Sequence, residues 1–292
     1  MTTDRGELPS PTGKSESVRE LISQRLVDID LQLPPMPGVA QRILQLNPEA
    51  TAEQFAKVVM DDQAISSAII RMANSAYYGG LYKFESLPTA ITRIGLQQVW
   101  VLALGFSILS NEFQANRFKK EYELLSEHAI GCAYLSGIIS EITRFPNRED
   151  AFFAGLMHDI GKIVIYTVLD EELQRNPDLP LTNEEISAAV EEHHCDIGAF
   201  LAASWNLQPW MKDVSRFHLR FQQAVQNTHL VCIVALANRF CHFFGFGGPQ
   251  EEIEVLADGL GEAARFKPED LNRVIKQSEQ VKDLISKLKS PG

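Results

Sequence analysis

The chain has 292 residues and a mass of 32.7 kDa, near the upper limit for one compact core, so two subdomains are expected. With 45% hydrophobic and 22% charged residues, 18 Gly and 14 Pro, it is excluded from the disordered, collagen-like and low-complexity classes. Asp and Glu number 38 against 27 Lys and Arg, and the net charge of −11 repels a polyanion, so nucleic acid is not an expected partner.

Cys132, Cys195, Cys232 and Cys241 are scattered without a CxxC pair and read as reduced, buried thiols rather than a disulfide framework. The N-terminus has no apolar core of a signal peptide. The longest apolar run, residues 99–109, is about half of the ~20 residues that a membrane helix needs. A cytoplasmic location with no membrane partner is the expectation.

Residues 1–17 are Thr, Ser, Gly, Pro and charge without apolar periodicity, and read as a flexible tail. Leu21, Ile22, Leu26 and Ile29 make one short amphipathic helix, and Val39, Ile43, Leu44 and Leu46 make another after the Pro-rich break at 33–38. Thr51 followed by Gln54 has the form of a capping box, and helical spacing then runs from Phe55 through Asn74 until Gly79-Gly80. A helix over 87–94 carries Pro88 in its first turn. The segment 97–109 is apolar on all sides and belongs at the centre of a bundle. Helices follow over 122–142, 151–168, 183–205, 209–218 and 228–244, the last ended by Gly245 and Pro249. The stretch 251–288 gives three amphipathic helices, 253–260, 268–275 and 281–288, suited to a cap or a partner surface. No period-two strand and no fixed repeat occurs, so the fold is all-α.

The residues that point to chemistry lie in Gly155-Leu156-Met157-His158-Asp159-Ile160-Gly161-Lys162. A carboxylate closing an apolar run costs several kcal/mol if buried unpaired, so Asp159 needs a cation, a hydrogen-bond cage or solvent. A metal satisfies it, since imidazole with carboxylate suits Fe, Mn, Zn or Mg, provided that further ligands arrive from other helices. His128, His194 and His218 are the candidates. The plainer reading is a helix-end hydrogen bond or an exposed ion pair. Of the neighbours His193 and His194, about 100° apart on a helix, at most one faces His158 and the other is solvated. His229 and His242 receive no role. Trp205 and Trp210 read as packing residues, and Gly198 with Ala199, Ala202 and Ala203 permits a close helix contact.

These segments together resemble the HDOD family, the HD-related output domains of bacterial signalling proteins, over residues 24–240. The resemblance is carried by Leu33-Pro34-Pro35-Met36-Pro37, Asp61-Asp62-Gln63-Ala64-Ile65, Ile70-Arg71-Met72-Ala73-Asn74-Ser75-Ala76-Tyr77-Tyr78 and Ala90-Ile91-Thr92-Arg93-Ile94-Gly95-Leu96. Further along come residues 155–162, His194-Cys195-Asp196-Ile197-Gly198 and Trp205-Asn206-Leu207. It implies a two-lobed helical bundle: tail 1–17, family-specific lobe 18–115, HD-like lobe 116–248 and helical extension 249–292. It also implies a signalling module related to HD-type metal phosphohydrolases but regarded as lacking their activity. His128, His158 and Asp159 match three metal positions of the active enzymes. The later Asp is replaced by Asn238, and a two-histidine step reads Phe217-His218.

An amide is a weaker donor than a carboxylate, and an apolar ring is none, so a complete two-metal centre is not expected. The first functional reading is therefore a regulatory module that binds a partner signalling protein through its N-terminal helices and the cleft between lobes, with no cofactor required. Tyr77 and Tyr78, in the loop that runs on to Tyr82, are candidate exposed anchors; the plainer reading packs them on the next helix. The second reading is a metal-dependent phosphohydrolase or a protein that binds a nucleotide second messenger such as a cyclic dinucleotide. One divalent ion would sit on His128, His158 and Asp159, Lys162 would face phosphate, and His194, His218 and Asn238 would line the cleft. DNA binding is a remote third. The most basic stretch, 276–289, also holds Glu279 and Asp283.

Overall fold

The computed structural model describes residues 36–46, 50–78, 83–109, 116–177, 179 and 181–289. The expected tail 1–17, the helix around 21–29, the segment Leu33-Pro34-Pro35 and the loop residues 79–82 lie outside these. Among the described residues all regular structure is helical, and no strand occurs.

Among the described residues, five helices form the first half: α1 (Gly38–Gln45), α2 (Ala52–Val59), α3 (Gln63–Ala73), α4 (Leu87–Ile94) and α5 (Leu96–Leu109). Thr51 and Gln54 close the capping box at α2 in both directions. The continuous helix expected from Phe55 to Asn74 is instead two. The chain turns at Met60 and Asp61, and the Asp62 side chain accepts from the Ile65 amide to start α3. Apolar spacing survives such a turn, which is why periodicity alone runs the two together.

The second half comprises α6 (Lys119–Ile142), α7 (Arg148–Met157), α8 (Ile160–Arg175), α9 (Asn183–Ser204), α10 (Pro209–Phe217) and α11 (Thr228–Phe244). One helix was expected over 151–168. It is α7 and α8, separated at His158 and Asp159. The C-terminal stretch also differs from three helices: a single turn, α12 (Leu260–Ala263), precedes one long helix, α13 (Leu271–Lys289). Val274, Val281, Leu284 and Ile285 are buried along one face of α13, which lies against α6 and α3.

One continuous hydrophobic core runs from Met36 to Ile285, with α5 packed on α7. Tyr77 and Tyr78 are half-buried at this junction and are not free anchors. The Tyr78 hydroxyl lies 3.0 Å from that of Tyr134, and Arg148 donates to Tyr77 Oη and Gln98 Oε1 while pairing with Glu141 at 2.7 Å. Among the described residues, 148–175 is the stretch long and apolar enough to cross a membrane, and 78% of its most apolar window is buried in this core. All four cysteines are buried and unbridged.

Candidate functional site

Helix α7 is buried along its whole last two turns and ends where His158 and Asp159 leave the helical hydrogen-bond pattern. Ile160 then begins α8 in a new direction. This kink aims both side chains at the meeting point of α6, α9 and α10. Gly161 is required there, because a Cβ on it would lie 2.0 Å from the His194 carbonyl oxygen and 2.8 Å from the Gly198 amide nitrogen. The glycines of α8 and α9 thus let two backbones touch, which brings His194 to Asp159. Replacing Gly161 with Ala is expected to cost at least the ~1–3 kcal/mol of an overpacked core, because backbone rather than a flexible side chain must move. Thermal unfolding checks it, and an unchanged melting temperature would contradict the close contact.

Six of the residues singled out from sequence come together. Asp159 is their centre. Its Oδ2 lies 3.0 Å from Lys162 Nζ, 3.5 Å from His158 Nε2 and 4.0 Å from His128 Nε2. Its Oδ1 lies 3.3 Å from His218 Nε2 and 3.5 Å from His194 Nε2. The two nitrogens His128 Nε2 and His158 Nε2 are 3.3 Å apart. The centre is closed: His158 and His194 are 0% exposed, His218 2%, and His128 and Asp159 7%. An exposed ion pair is therefore not what this His-Asp step forms.

The seventh residue, Asn238, is buried on α11 but makes no hydrogen bond or ion pair to these six. One turn further on, the His242 ring lies 5.3 Å from that of His128 and its Nδ1 meets Glu251 at 3.1 Å, so this histidine is more than the bystander expected. His193 is half-buried, with its Nε2 enclosed and unpartnered, rather than solvated. Trp210 packs edge-on against Phe153, as a packing residue should.

Backbone carbonyls fix the tautomers. Nδ1 of His158 faces Gly155 O at 2.8 Å, Nδ1 of His194 faces Val190 O at 2.9 Å, Nδ1 of His218 faces Ser215 O at 3.0 Å, and Nδ1 of His128 faces Phe246 O at 3.3 Å. A carbonyl oxygen only accepts, so each Nδ1 carries a proton, and it is Nε2 of each ring that faces the centre. Gly247 permits the last of these contacts; it has φ +79°, and a Cβ there would lie 2.6 Å from the His128 Cβ.

Burial and the neighbouring His158 charge push His128 down to about 3. Burial takes His194 down to about 4 despite Asp159. For His158 burial works in the same direction, but the Asp159 carboxylate and the Cys132 side chain outweigh it and lift it to about 9. Asp159 is held well below the usual carboxylate range: burial opposes its charge, and His158 and Lys162 overcome that. Lys162 stays charged for the converse reason, paired with Asp159 and, at 2.9 Å, with Glu191.

Neutral His128 and His194 thus direct lone pairs at a carboxylate that also only accepts. Asp159 Oδ1 and His218 Nε2 are buried without a hydrogen bond although 3.3 Å apart. Acceptors in excess of donors call for a cation, and this donor set fits a divalent transition ion. The ligand atoms of His128, His158 and Asp159 all lie within 4.8 Å of one another. Those of His194, Cys195 and His218 do as well. Sequence reasoning missed Glu191 and Cys195. Glu191 stands three residues before His194, on the same face of a helix, and that spacing was the available signal.

The model of the HDOD domain matches residues 33–221 of the chain. An uncharacterised protein of Treponema pallidum (strain Nichols) is 25% identical over 247 residues, which are 80% of this chain and 46% of that protein. The chain therefore spans about half the length of that relative. Two solved structures share the fold. One, from Shewanella amazonensis SB2B and classed with metal-dependent phosphohydrolases, is 23% identical, covers 95% of this chain and 98% of its own, and superposes with a TM-score of 0.71. The other, an HDOD domain protein of unknown function from Geobacter sulfurreducens, is 20% identical, covers 94% and 97%, and has a TM-score of 0.67.

Proposed function

This chain belongs to the HDOD domain family, and from that premise we propose that it is a regulatory module: it binds a partner protein and keeps its HD centre closed around a cation without turning over a phosphoester. The observation that carries this reading is the engagement of Lys162. The one side chain of the set suited to neutralise phosphate is already held by Asp159 at 3.0 Å and Glu191 at 2.9 Å. Closed metal centres are structural, whereas hydrolytic ones keep a position open to water and substrate. A bound ion would supply charge balance for Asp159 and the histidine lone pairs, with His128, His158 and Asp159 holding it on one side and His194 and His218 on the other.

The recognition surface in this proposal is a groove of about 800 Å³ between the N-terminal helices and α7 and α10. Leu44, Phe55, Trp100 and Trp210 supply its apolar walls, and Glu149 and Asp150 supply negative charge. Burial, together with Glu149, raises the Asp150 carboxyl, as expected of an acid still short of a cationic partner. With a net charge of −11, the occupant that fits is a partner-protein segment with an apolar face and a basic edge.

The test is turnover. Purified protein supplied with Mn(II), Fe(II) or Zn(II) is expected to leave bis(p-nitrophenyl) phosphate and cyclic dinucleotides uncleaved. Cleavage that disappears in Asp159→Asn would overturn the reading in favour of a metal-dependent phosphohydrolase. One observation favours that second reading: the Nε2 atoms of His128, His194 and His218 converge on Asp159 as those of a metallohydrolase would. It requires Lys162 to leave Glu191 and face substrate.

A further inference from the structure

A buried thiol stands beside the histidine cluster of the centre. Cys195 Sγ lies 3.4 Å from His194 Nε2. Because His194 Nδ1 already donates to Val190 O, Nε2 is the acceptor, and the thiol proton points at the lone pair that a cation would take. A cysteine alone would mean little. Here two other atoms, both on residues more than nine-tenths buried, face each other at 3.3 Å at the same spot without a formed hydrogen bond: His218 Nε2 and Asp159 Oδ1.

Three of the spacings match those around one ion. Bonds of about 2.0–2.1 Å to nitrogen or oxygen and about 2.3 Å to sulfur, at tetrahedral angles, separate neighbouring ligand atoms by roughly 3.3–3.6 Å. The distances here are 3.3 Å from His218 Nε2 to Asp159 Oδ1, 3.5 Å from His194 Nε2 to Asp159 Oδ1, and 3.4 Å from Cys195 Sγ to His194 Nε2. The ligand atoms of His194, Cys195 and His218 all fall within 4.8 Å of one another.

We propose that Cys195 is a metal ligand: with His194, His218 and the Oδ1 of Asp159 it forms a cation position selective for thiophilic ions such as Zn(II). This rests on the reading of the centre as a cation site and adds to it a ligand and a selectivity. As the ion binds, the S–H bond breaks, the proton leaves to solvent and the sulfur–metal bond forms; no electron changes hands. The thiolate and Asp159 then bring two negative charges to a divalent ion. Two imidazoles and a thiolate prefer Zn(II) or Co(II) to Mg(II) or Ca(II).

The experiment titrates the full chain, freed of metal, with Co(II) and records its absorption. Wild type is expected to show a thiolate-to-cobalt charge-transfer band in the near ultraviolet. Cys195→Ser should abolish the band and weaken Co(II) binding at this position at least about 10- to 100-fold, as loss of metal-site groups does. Cys132→Ser, Cys232→Ser and Cys241→Ser should each retain it. X-ray absorption of Zn(II)-loaded wild type supplies a readout that needs no variant, with one sulfur expected at about 2.3 Å. Co(II) uptake without the band, a band that survives Cys195→Ser, or one lost in Cys132→Ser overturns Cys195 as ligand and leaves the cation centre standing. No Co(II) uptake by wild type overturns both.

Discussion

Replacing Asp159 with Ala is expected to lower the melting temperature by about 6–20 °C, the largest effect of any single substitution in the second half of the chain. Removing one member of a buried ion pair costs roughly 3–5 kcal/mol, because the remaining charge is stranded, and ~2–4 °C is lost per kcal/mol in chains of about this size. The geometry places Asp159 at the high end. Its carboxylate pairs with Lys162 at 3.0 Å and with the His158 charge at 3.5 Å, and four imidazole nitrogens lie within 4.0 Å of it. Lys162 keeps Glu191, but His158 loses the group that holds its proton. Asp159→Asn preserves shape and removes only charge, so it separates the electrostatic loss from the cavity. Both variants should lose bound metal. A melting temperature equal to that of wild type would show that the carboxylate is not paired in the fold.

The second large effect is on pH. In the metal-free protein, stability is expected to fall steeply below about pH 6.5, the ordinary histidine value. His128 and His194 titrate at about 3 and about 4 in the folded chain. Below about pH 6.5 the unfolded chain therefore takes up protons that the folded chain refuses, and stability declines until the folded values are reached. Burial opposes the Cys132 thiolate, but Cys241 and His158 outweigh it and take the thiol down to about 5, so Cys132 adds to the same limb. His158 has the opposite sign: lifted to about 9, it contributes stability that is fully present below about pH 6.5 and lost as pH rises through 9. Between about pH 6.5 and 8.5 the proton that the folded chain keeps on His158 matches the one that it has lost from Cys132, so the two offset and the profile is level there. At about 1.4 kcal/mol per unit, the acid limb is on the order of several kcal/mol. Urea unfolding in the presence of a chelator, from about pH 4 to 8.5, measures it. His128→Gln should make the acid limb shallower, and a profile level between about pH 4 and 6.5 would contradict these titrations.

Much of this architecture was legible before any coordinates. Apolar spacing locates α4, α5, α9 and α11 almost to the residue, and α11 spans 228–244 at both ends as read from sequence. Thr51 and Gln54 announce a helix start because capping is a local property. The breaks at Asp61 and at His158–Asp159 escape detection for one reason: apolar residues continue through them, and periodicity senses burial, not backbone direction. The C-terminal helix reads as two because polar residues at 276–280 interrupt its apolar run, although Ser278 is buried and Val274 and Val281 share a face. In the site, His158 and Asp159 stand out because a charged pair ends an apolar run. Glu191 shares a helix face with His194, but its partner Lys162 is set only once Gly161 and Gly198 have brought α8 against α9, a tertiary contact that no local pattern encodes. Lys162, assigned to phosphate from sequence, is instead the partner of two carboxylates.

The most direct test of a cation centre around Asp159 is the metal content of the full chain, purified without added metal or chelator, beside Asp159→Asn prepared identically. The wild type is expected to carry about one equivalent or more of a transition ion and the variant almost none, since structural ions bound by preformed histidine and carboxylate ligands survive purification. Less than about a tenth of an equivalent in wild type, or the same content in both proteins, would contradict it.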